Sequence, residues 1–368
     1  MLWEHEVVGS NPIVPTIKIF MFMHFKNVVI DTIAYALPED VWSSSHIEAL
    51  LEPLYQRLKL PQGRLEMMTG IHERRHWSPD TLPSAAAAQA GQKLLQKTTL
   101  DRSKIDLLIH ASVCRDCMEP STASYVHQAL KLSPATQIFD LSNACLGVLN
   151  AMLVGASMIE AGTAQNVLIV SGENGRTLLD NTIKRLNEDL TLDRQTIKPF
   201  FANLTIGSGA VAILLRHAKQ VSEPKPLLLG GIVQTDSQAN HLCEGGTSHN
   251  GLFMQTDAPS LLEAGIGLSQ KAWKNFKHEM AWNESTPSHI ITHQVGHQHQ
   301  IKLYEALHLN IRKDVSTFKD LGNTGSVALP ISLCKAEENK CLSSVENVLL
   351  LGIGSGLSTV MLGLLWQK

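Results

Sequence analysis

Cys145 stands in Ser142-Asn143-Ala144-Cys145-Leu146-Gly147-Val148, after an apolar stretch, Ile138 to Leu141, that reads as a short strand. A small-residue segment follows, Leu146 to about Glu160, and it reads as a helix. A thiol at a strand-to-helix turn has helix N–H groups and the positive end of the helix dipole beside it, which lower its pKa and favour the thiolate. That is how a nucleophile is built. Taken alone, the residue also reads as a buried core cysteine, because free cysteine is among the most buried residue types.

Two later segments carry the partners that thiolate chemistry needs. Ile290-Ile291-Thr292-His293-Gln294-Val295 is a strand that ends on a histidine, and Asp320-Leu321-Gly322-Asn323-Thr324-Gly325-Ser326 is a glycine-bounded loop before another small-residue helix. Cys145, His293 and Asn323, each where an element begins or ends, form a constellation for covalent acyl transfer. A fourth segment, Leu350-Leu-Gly-Ile-Gly-Ser-Gly-Leu357, is glycine-rich, but no βαβ unit follows it as a nucleotide loop would require.

These segments, Asn143-Ala-Cys-Leu-Gly, His293-Gln-Val and Gly322-Asn-Thr-Gly, resemble the Cys-His-Asn site of the thiolase superfamily. An asparagine in third place points to the ketoacyl-ACP synthase III group. Within that group the sequence is similar to the OleA branch, whose members condense two fatty acyl-CoA molecules head to head. Gly70-Ile-His-Glu-Arg-Arg-His-Trp77, Arg115-Asp-Cys-Met-Glu-Pro-Ser-Thr-Ala-Ser124, Asn143 to Leu146 and Leu350 to Leu357 carry that likeness from residue 25 onward. The resemblance implies Cys145 as nucleophile, with His293 and Asn323 as donors to the carbonyl of a second substrate. It implies that Ser355 completes, with the Cys145 N–H, an oxyanion hole.

Glu119 separates two reactions. A malonyl substrate generates its carbanion by losing CO₂, whereas two fatty acyl thioesters require a base for the α-proton. By resemblance Glu119, in Met118-Glu-Pro-Ser-Thr122, is that base, reaching the site from the partner subunit; a carboxylate before proline also reads as a turn residue. If buried against an acyl chain, its pKa would rise toward that of a working base. The sequence departs from the synthase III pattern at the CoA clamp, where Arg64, Met68 and His72 replace the usual residues.

At 368 residues, 44% hydrophobic and 18% charged, the chain suits a globular enzyme with one large or two fused cores. A net charge of −3 and few aromatics exclude the footprint of a nucleic-acid binder. Arg74-Arg75 and Lys184-Arg185 read as solvated charges or as contacts for CoA phosphates or an acidic carrier protein, the first being preferred. No apolar run approaches the roughly 20 residues of a bilayer span. Six cysteines without disulfide spacing, including the lone pair Cys114-Arg-Asp-Cys117, point to a reducing cytoplasm and to no metal site or cofactor. Residues 1–22 lack the features of a signal peptide and read as an extension from an upstream start codon, poorly packed or disordered.

The chain echoes itself at a separation of roughly 180 residues, the mark of an internal duplication. Leu107-Leu-Ile-His-Ala111 matches His289-Ile-Ile-Thr-His293, and Asn166-Val-Leu-Ile-Val170 matches Asn347-Val-Leu-Leu-Leu351. Asn143-Ala-Cys145 matches Asn323-Thr-Gly325, and Gly207-Ser-Gly matches Gly354-Ser-Gly. Continuous apolar strands between Ala-rich helices imply sheets covered on both faces. The expectation is an α/β chain of two halves, 23–220 and 226–368, in the five-layered αβαβα thiolase fold. A polar insertion at about 173–204 should lie over the surface. The resemblance adds a homodimer built around the strand near Gln137 to Leu141, acyl-CoA substrates, and an acyl carrier protein as the alternative second carrier. A synthase III that starts chains with malonyl-ACP is the second reading. A catalytically silent partner subunit is the third, and retention of all three site residues argues against it.

Overall fold

The computed structural model describes residues 21–248 and 251–367. In chain order the first half holds β1 (Met21–His24), β2 (Val28–Ala36), β3 (Asp40–Ser43), α1 (Ser44–Leu50), α2 (Glu52–Leu58), α3 (Arg64–Thr69) and β4 (Glu73–His76). It continues through α4 (Pro83–Lys97), β5 (Leu107–His110), α5 (Thr122–Leu130), β6 (Gln137–Asp140), α6 (Gly147–Glu160), β7 (Asn166–Glu173), α7 (Arg176–Glu188) and β8 (Gly209–His217). The second half holds β9 (Leu227–Thr235), a small hairpin of β10 (Cys243–Ser248) and β11 (Gly251–Thr256), α8 (Ala258–Met280), β12 (His289–Thr292) and α9 (His297–Leu307). It closes with α10 (Phe318–Leu321), α11 (Ala328–Glu338), β13 (Glu346–Gly354) and β14 (Ser358–Trp366).

Ten strands join in the order β12-β13-β14-β9-β2-β8-β7-β5-β6, with β1 beside β9. The two halves meet at β2 and β9, whose ladder is the one pair Val29–Leu227. Counted outward from this junction, the first half arranges its five strands β2-β8-β7-β5-β6, and the second repeats that arrangement as β9-β14-β13-β12. The counterpart of β6 is reduced to an isolated bridge between Ile290 and Asp314, with the Val315 N–H donating to the Ile290 carbonyl at 3.0 Å. The matched segments thus occupy matched strands.

Five layers follow from which apolar faces meet. Leu149, Ala156, Leu329 and Ile331, from α6 and α11, pack in one core with Ile109, Val167, Ile213, Leu350 and Leu362 from both sets of strands. Ala87, Leu94 and Val126, from α4 and α5, cover the outer face of the first half beside Leu108 and Leu168. Leu268, Phe276 and Leu303, from α8 and α9, cover the second beside Leu349 and Met361. Helices on both faces explain why every residue of β7 is buried, and why its sequence is a continuous apolar run and not an alternation.

Three expectations change. Met21 and Phe22, read as part of the extension, open β1 and pair with Val233 and Ile232; residues 1–20 lie outside the described residues. The insertion does not merely lie over the surface. Leu179, Leu186, Ile197 and Phe200 form a separate core with Trp42, Ile47, Leu51 and Leu54, and the Arg57 guanidinium donates to the carbonyls of Leu186, Asp189 and Leu192. Its charged residues Lys184, Arg185, Asp193 and Arg194 do face solvent. Arg74 is fully buried, not solvated, and donates to Ser44 Oγ and the Leu204 carbonyl, each at 2.9 Å.

Candidate active site

Cys145 sits two residues before α6, on a turn whose preceding residue, Ala144, has φ +45°. A left-handed conformation costs an ordinary L-residue roughly 1–2 kcal/mol, so packing must hold the turn in place. The Leu146 N–H donates to the Asn143 carbonyl at 2.9 Å, and Asn143 Nδ2 donates to Asn150 Oδ1 at 2.8 Å, tying the turn to its own helix. Gly147 lets the helix start close on β5, since a Cβ there would lie 3.1 Å from the Ala111 carbonyl oxygen. A Cβ on Gly354 would lie 2.9 Å from Leu146 Cγ and 3.6 Å from the Cys145 nitrogen. The β13–β14 turn carrying Ser355 is thereby seated against the backbone of Cys145.

The sequence favoured a preformed thiolate, and the structure corrects this. Burial pushes the Cys145 thiol up to about 12, and Glu173 and Cys243, when ionised, push in the same direction, while its own backbone N–H opposes them. Without substrate the site holds a thiol. Proximity to a helix start does not offset the loss of water around the sulfur.

His293 follows β12 and is 5% exposed; its N–H donates to the Leu351 carbonyl of β13 at 3.0 Å. Its neighbour Gln294, also buried, connects it to Asn323. Gln294 Oε1 accepts from the N–H groups of Thr317 (2.8 Å) and Phe318 (3.2 Å), which open α10, and that short helix leads directly into Gly322 and Asn323. Gly322 has φ +63°, and a Cβ there would lie 2.4 Å from the Thr205 carbonyl oxygen. Asn323 is pinned three ways. Its N–H donates to the Thr205 carbonyl, its carbonyl accepts from the Gly207 N–H, and its Oδ1 accepts from the Gly325 N–H, at 2.9, 2.9 and 3.0 Å. The last bond turns the amide so that the oxygen is engaged and the NH₂ group forms the free end of the side chain.

Burial holds the His293 imidazole down to about 3, with His299 adding to the effect. A neutral ring at working pH is a one-proton donor, suited to a carbonyl. Two further histidines, His297 and His299, lie on the helix that follows. His297 is exposed, while His299 is itself lowered to about 4 by burial and stands close enough to act on His293. Neither Nδ1 has a hydrogen-bond partner among the described residues.

The remaining candidates divide. Ser355, partly buried, is in the turn beside Cys145. Glu119 is exposed, and its carboxylate meets no hydrogen-bond or ion-pair partner among the described residues; a single chain does not bury it. Cys114 and Cys117 are both free thiols, and among the described residues no group of three His, Cys, Asp or Glu side chains is placed to hold a metal. Two residues escaped the sequence reading, Gln294 and Glu173. Glu173 ends β7 at 4% exposure and binds both the loop after β5 and the loop after Asn323. An acid closing the strand that carries the apolar run Val167 to Val170 was the available signal.

The sequence model of 3-oxoacyl-[acyl-carrier-protein] synthase III matches residues 139–225, and that of its C-terminal part matches 278–366. The acyl-CoA:acyl-CoA alkyltransferase of Shewanella oneidensis is 37% identical across 94% of this chain and 100% of its own length. That of Xanthomonas campestris is 34% identical across 94% and 100%. A β-ketoacyl-[acyl-carrier-protein] synthase III of Neisseria meningitidis is 25% identical across 83% and 91%. Among solved structures, cerulenin-bound OleA of Xanthomonas campestris superposes with a TM-score of 0.89 at 34% identity, covering 93% of this chain and 98% of that one. The chain belongs to the thiolase-fold 3-oxoacyl-[acyl-carrier-protein] synthase III family, in its acyl-CoA:acyl-CoA alkyltransferase (OleA) branch.

Proposed function

We propose that this protein is an acyltransferase that joins two fatty acyl-CoA molecules by non-decarboxylative Claisen condensation, through an acyl-Cys145 intermediate. One observation carries the reading. The chain has Cys145, His293 and Asn323, as a synthase III does, together with Glu119, in a sequence that matches two named alkyltransferases end to end and a synthase III less closely.

Cys145 Sγ attacks the first thioester carbonyl, and its proton leaves with the CoA thiolate. The developing oxyanion takes the N–H groups of Cys145 and Ser355; removing one such donor typically costs about 10²–10³ in rate. The second acyl-CoA places its carbonyl oxygen between His293 and the Asn323 amide, which stabilise the enolate. The partner subunit's Glu119 takes the α-proton, the enolate carbon attacks the acyl carbonyl on Cys145, and the C–S bond breaks. Glu119 then returns its proton to the Cys145 thiolate, and the product is a 2-alkyl-3-ketoacyl thioester or the acid derived from it.

The exposure of Glu119 in one chain supports a homodimer in which it is buried by the other subunit. The free edge strand β6 is the surface proposed for that pairing. Among the described residues no helix is long and apolar enough to cross a membrane, and all six cysteines are unpaired, which supports a cytoplasmic location. The second reading, decarboxylative condensation with malonyl-ACP, is favoured by the two family matches, and it leaves Glu119 without a role.

Acyl-CoA deuterated at the α-carbon separates the two. Proton abstraction removes label from one of the two chains in the product, whereas decarboxylation retains it. Mixed dimers test the shared site. Chains carrying Cys145→Ala and chains carrying Glu119→Ala are each inactive alone, and mixing them restores one working site per heterodimer. No recovery on mixing would place Glu119 in its own chain's site or outside the chemistry.

A further inference from the structure

Glu173 has no role in the chemistry above, yet its surroundings are ordered well beyond it. Oε1 accepts from the N–H groups of Val113 (2.9 Å) and Ser326 (3.2 Å) and lies 2.5 Å from Ser326 Oγ, while Oε2 accepts from the Cys114 N–H (3.1 Å). A line of hydroxyls continues from there. Ser326 Oγ is 2.9 Å from Ser171 Oγ, Ser171 Oγ is 2.8 Å from Ser112 Oγ, and Ser112 Oγ is 3.1 Å from His110 Nε2. His110 Nδ1 faces Asp140 Oδ1 at 3.7 Å. The three serines and His110 are all buried, and the line ends on the edge strand β6, where the Asp140 side chain is 31% exposed.

Ser326 Oγ also lies 3.1 Å from the Ala111 carbonyl, a competing acceptor. With the line unbroken and a proton kept on His110 Nδ1 toward Asp140, counting protons leaves two self-consistent arrangements, because each hydroxyl has one proton to give. The Gly172 N–H already donates to Ser112 Oγ. In the first arrangement Glu173 is protonated and donates to Ser326, Ser326 to Ser171, Ser171 to Ser112, and Ser112 to His110 Nε2, with the Nδ1–H turned to Asp140. In the second every bond runs the other way. His110 is then a cation donating from Nε2 to Ser112, and Ser326 donates to an ionised Glu173. The two differ by one proton passed hand to hand, with no heavy atom moved.

We propose that this line is a buried proton path and that Glu173 is a positioning residue, whose charge beside Cys145 is set through Ser326, Ser171, Ser112 and His110 from the edge strand. The proton rests on Glu173 and passes reversibly to His110. Burial raises the Glu173 carboxyl above its ordinary range and lowers His110 to about 4, and both effects favour the first arrangement. The N–H groups converging on Glu173 oppose this, as Asp140 and Asp116 do at His110, while Arg115 assists. The titratable groups facing Glu173 are Cys114 and Cys145, and an ionised Glu173 raises both thiols. A neutral Glu173 therefore spares the thiolate a like charge at the moment of attack. This consequence rests on Cys145 being the nucleophile; the path itself does not.

Infrared difference spectra of the full-length protein near pH 7 test the path. The protonated-carboxyl band that vanishes in Glu173→Gln is assigned to Glu173, and its rate of shift after transfer to D₂O is followed. In Ser171→Ala the shift slows by about tenfold, the factor given by about 1.4 kcal/mol of added barrier. Ser112→Ala cuts the same line and serves if Ser171→Ala does not fold. Absence of a band lost in Glu173→Gln, or an unchanged exchange rate in the serine variant, overturns the proposal. Acylation of Cys145 by acyl-CoA, read by intact mass on the same samples, reports separately on the nucleophile.

Discussion

Cys145, His293 and Asn323 are held by different means, and their replacements should fail at different steps. Cys145→Ala is expected to form no acyl-enzyme by intact mass. His293→Ala and Asn323→Ala should still acylate while condensing about 10²–10³ more slowly, the cost typical of a lost oxyanion-type donor. Loss of acylation in all three would mean that the histidine and asparagine serve the first half-reaction. The thiol raised to about 12 gives a second expectation. The thiolate fraction grows as pH rises toward that value, so iodoacetamide should alkylate Cys145, followed by peptide mass, about tenfold faster per pH unit from 7 to 9. A plateau at neutral pH would show a preformed thiolate. The three site residues were legible because each lies in a short local motif. Glu173 and Gln294 were not, because they act on residues far away in sequence. Glu173 meets Val113 across 60 residues and Ser326 across 153, and no local pattern records such contacts.

At the scale of elements, the duplicated strands could be read because both faces are buried and the sequence shows it as unbroken apolar runs. The core under the insertion could not. In α7 the buried Leu179 and Leu186 are two turns apart among charged residues, so composition reads as surface while one face packs on Trp42, Ile47 and Leu51. Gln294 joins β12 to α10, and its oxygen takes two helix-opening N–H groups that would otherwise be buried without acceptors. Gln294→Ala should cost about 1–3 kcal/mol in urea unfolding, the usual penalty for unsatisfied buried donors. It should also slow condensation while sparing acylation, because Asn323 follows α10 directly. Gln294→Glu keeps the acceptor but loses the Nε2–H donor to the buried Thr292 carbonyl at 2.7 Å, and should recover only part of both losses. Equal loss of both half-reactions in Gln294→Ala would mean that the cap supports the whole fold and not the Asn323 loop.

At the scale of the whole molecule, four histidines, His299 half-buried and the other three buried, set the response to acid. His76 and His293 are lowered to about 3, and His110 and His299 to about 4, burial being the first cause in each. The unfolded chain binds these protons as pH falls below about 6.5, whereas the folded chain refuses them until about pH 4, so folding stability falls with pH across that window. Glu173 and Asp314, raised by burial, oppose the trend because they take up protons earlier in the folded state. Four groups outweigh two, and the urea midpoint should be clearly lower at pH 5 than at pH 7.5; an unchanged midpoint would contradict the burial of these rings.

The proposed homodimer makes the site depend on assembly. Ile138 and Phe139 lie half-buried on the edge strand β6, and Ile138→Asp should yield monomers by sedimentation that acylate Cys145 but do not condense, for want of the partner subunit's Glu119. Normal condensation by such monomers would remove the partner from the mechanism.

The most direct test of the central claim is mass-spectrometric product analysis of the purified protein given myristoyl-CoA with and without malonyl-ACP, beside the Glu119→Ala variant. Condensed product from myristoyl-CoA alone, lost in the variant, is the expected result. Product formed only when malonyl-ACP is present, and unaffected by the substitution, would contradict it.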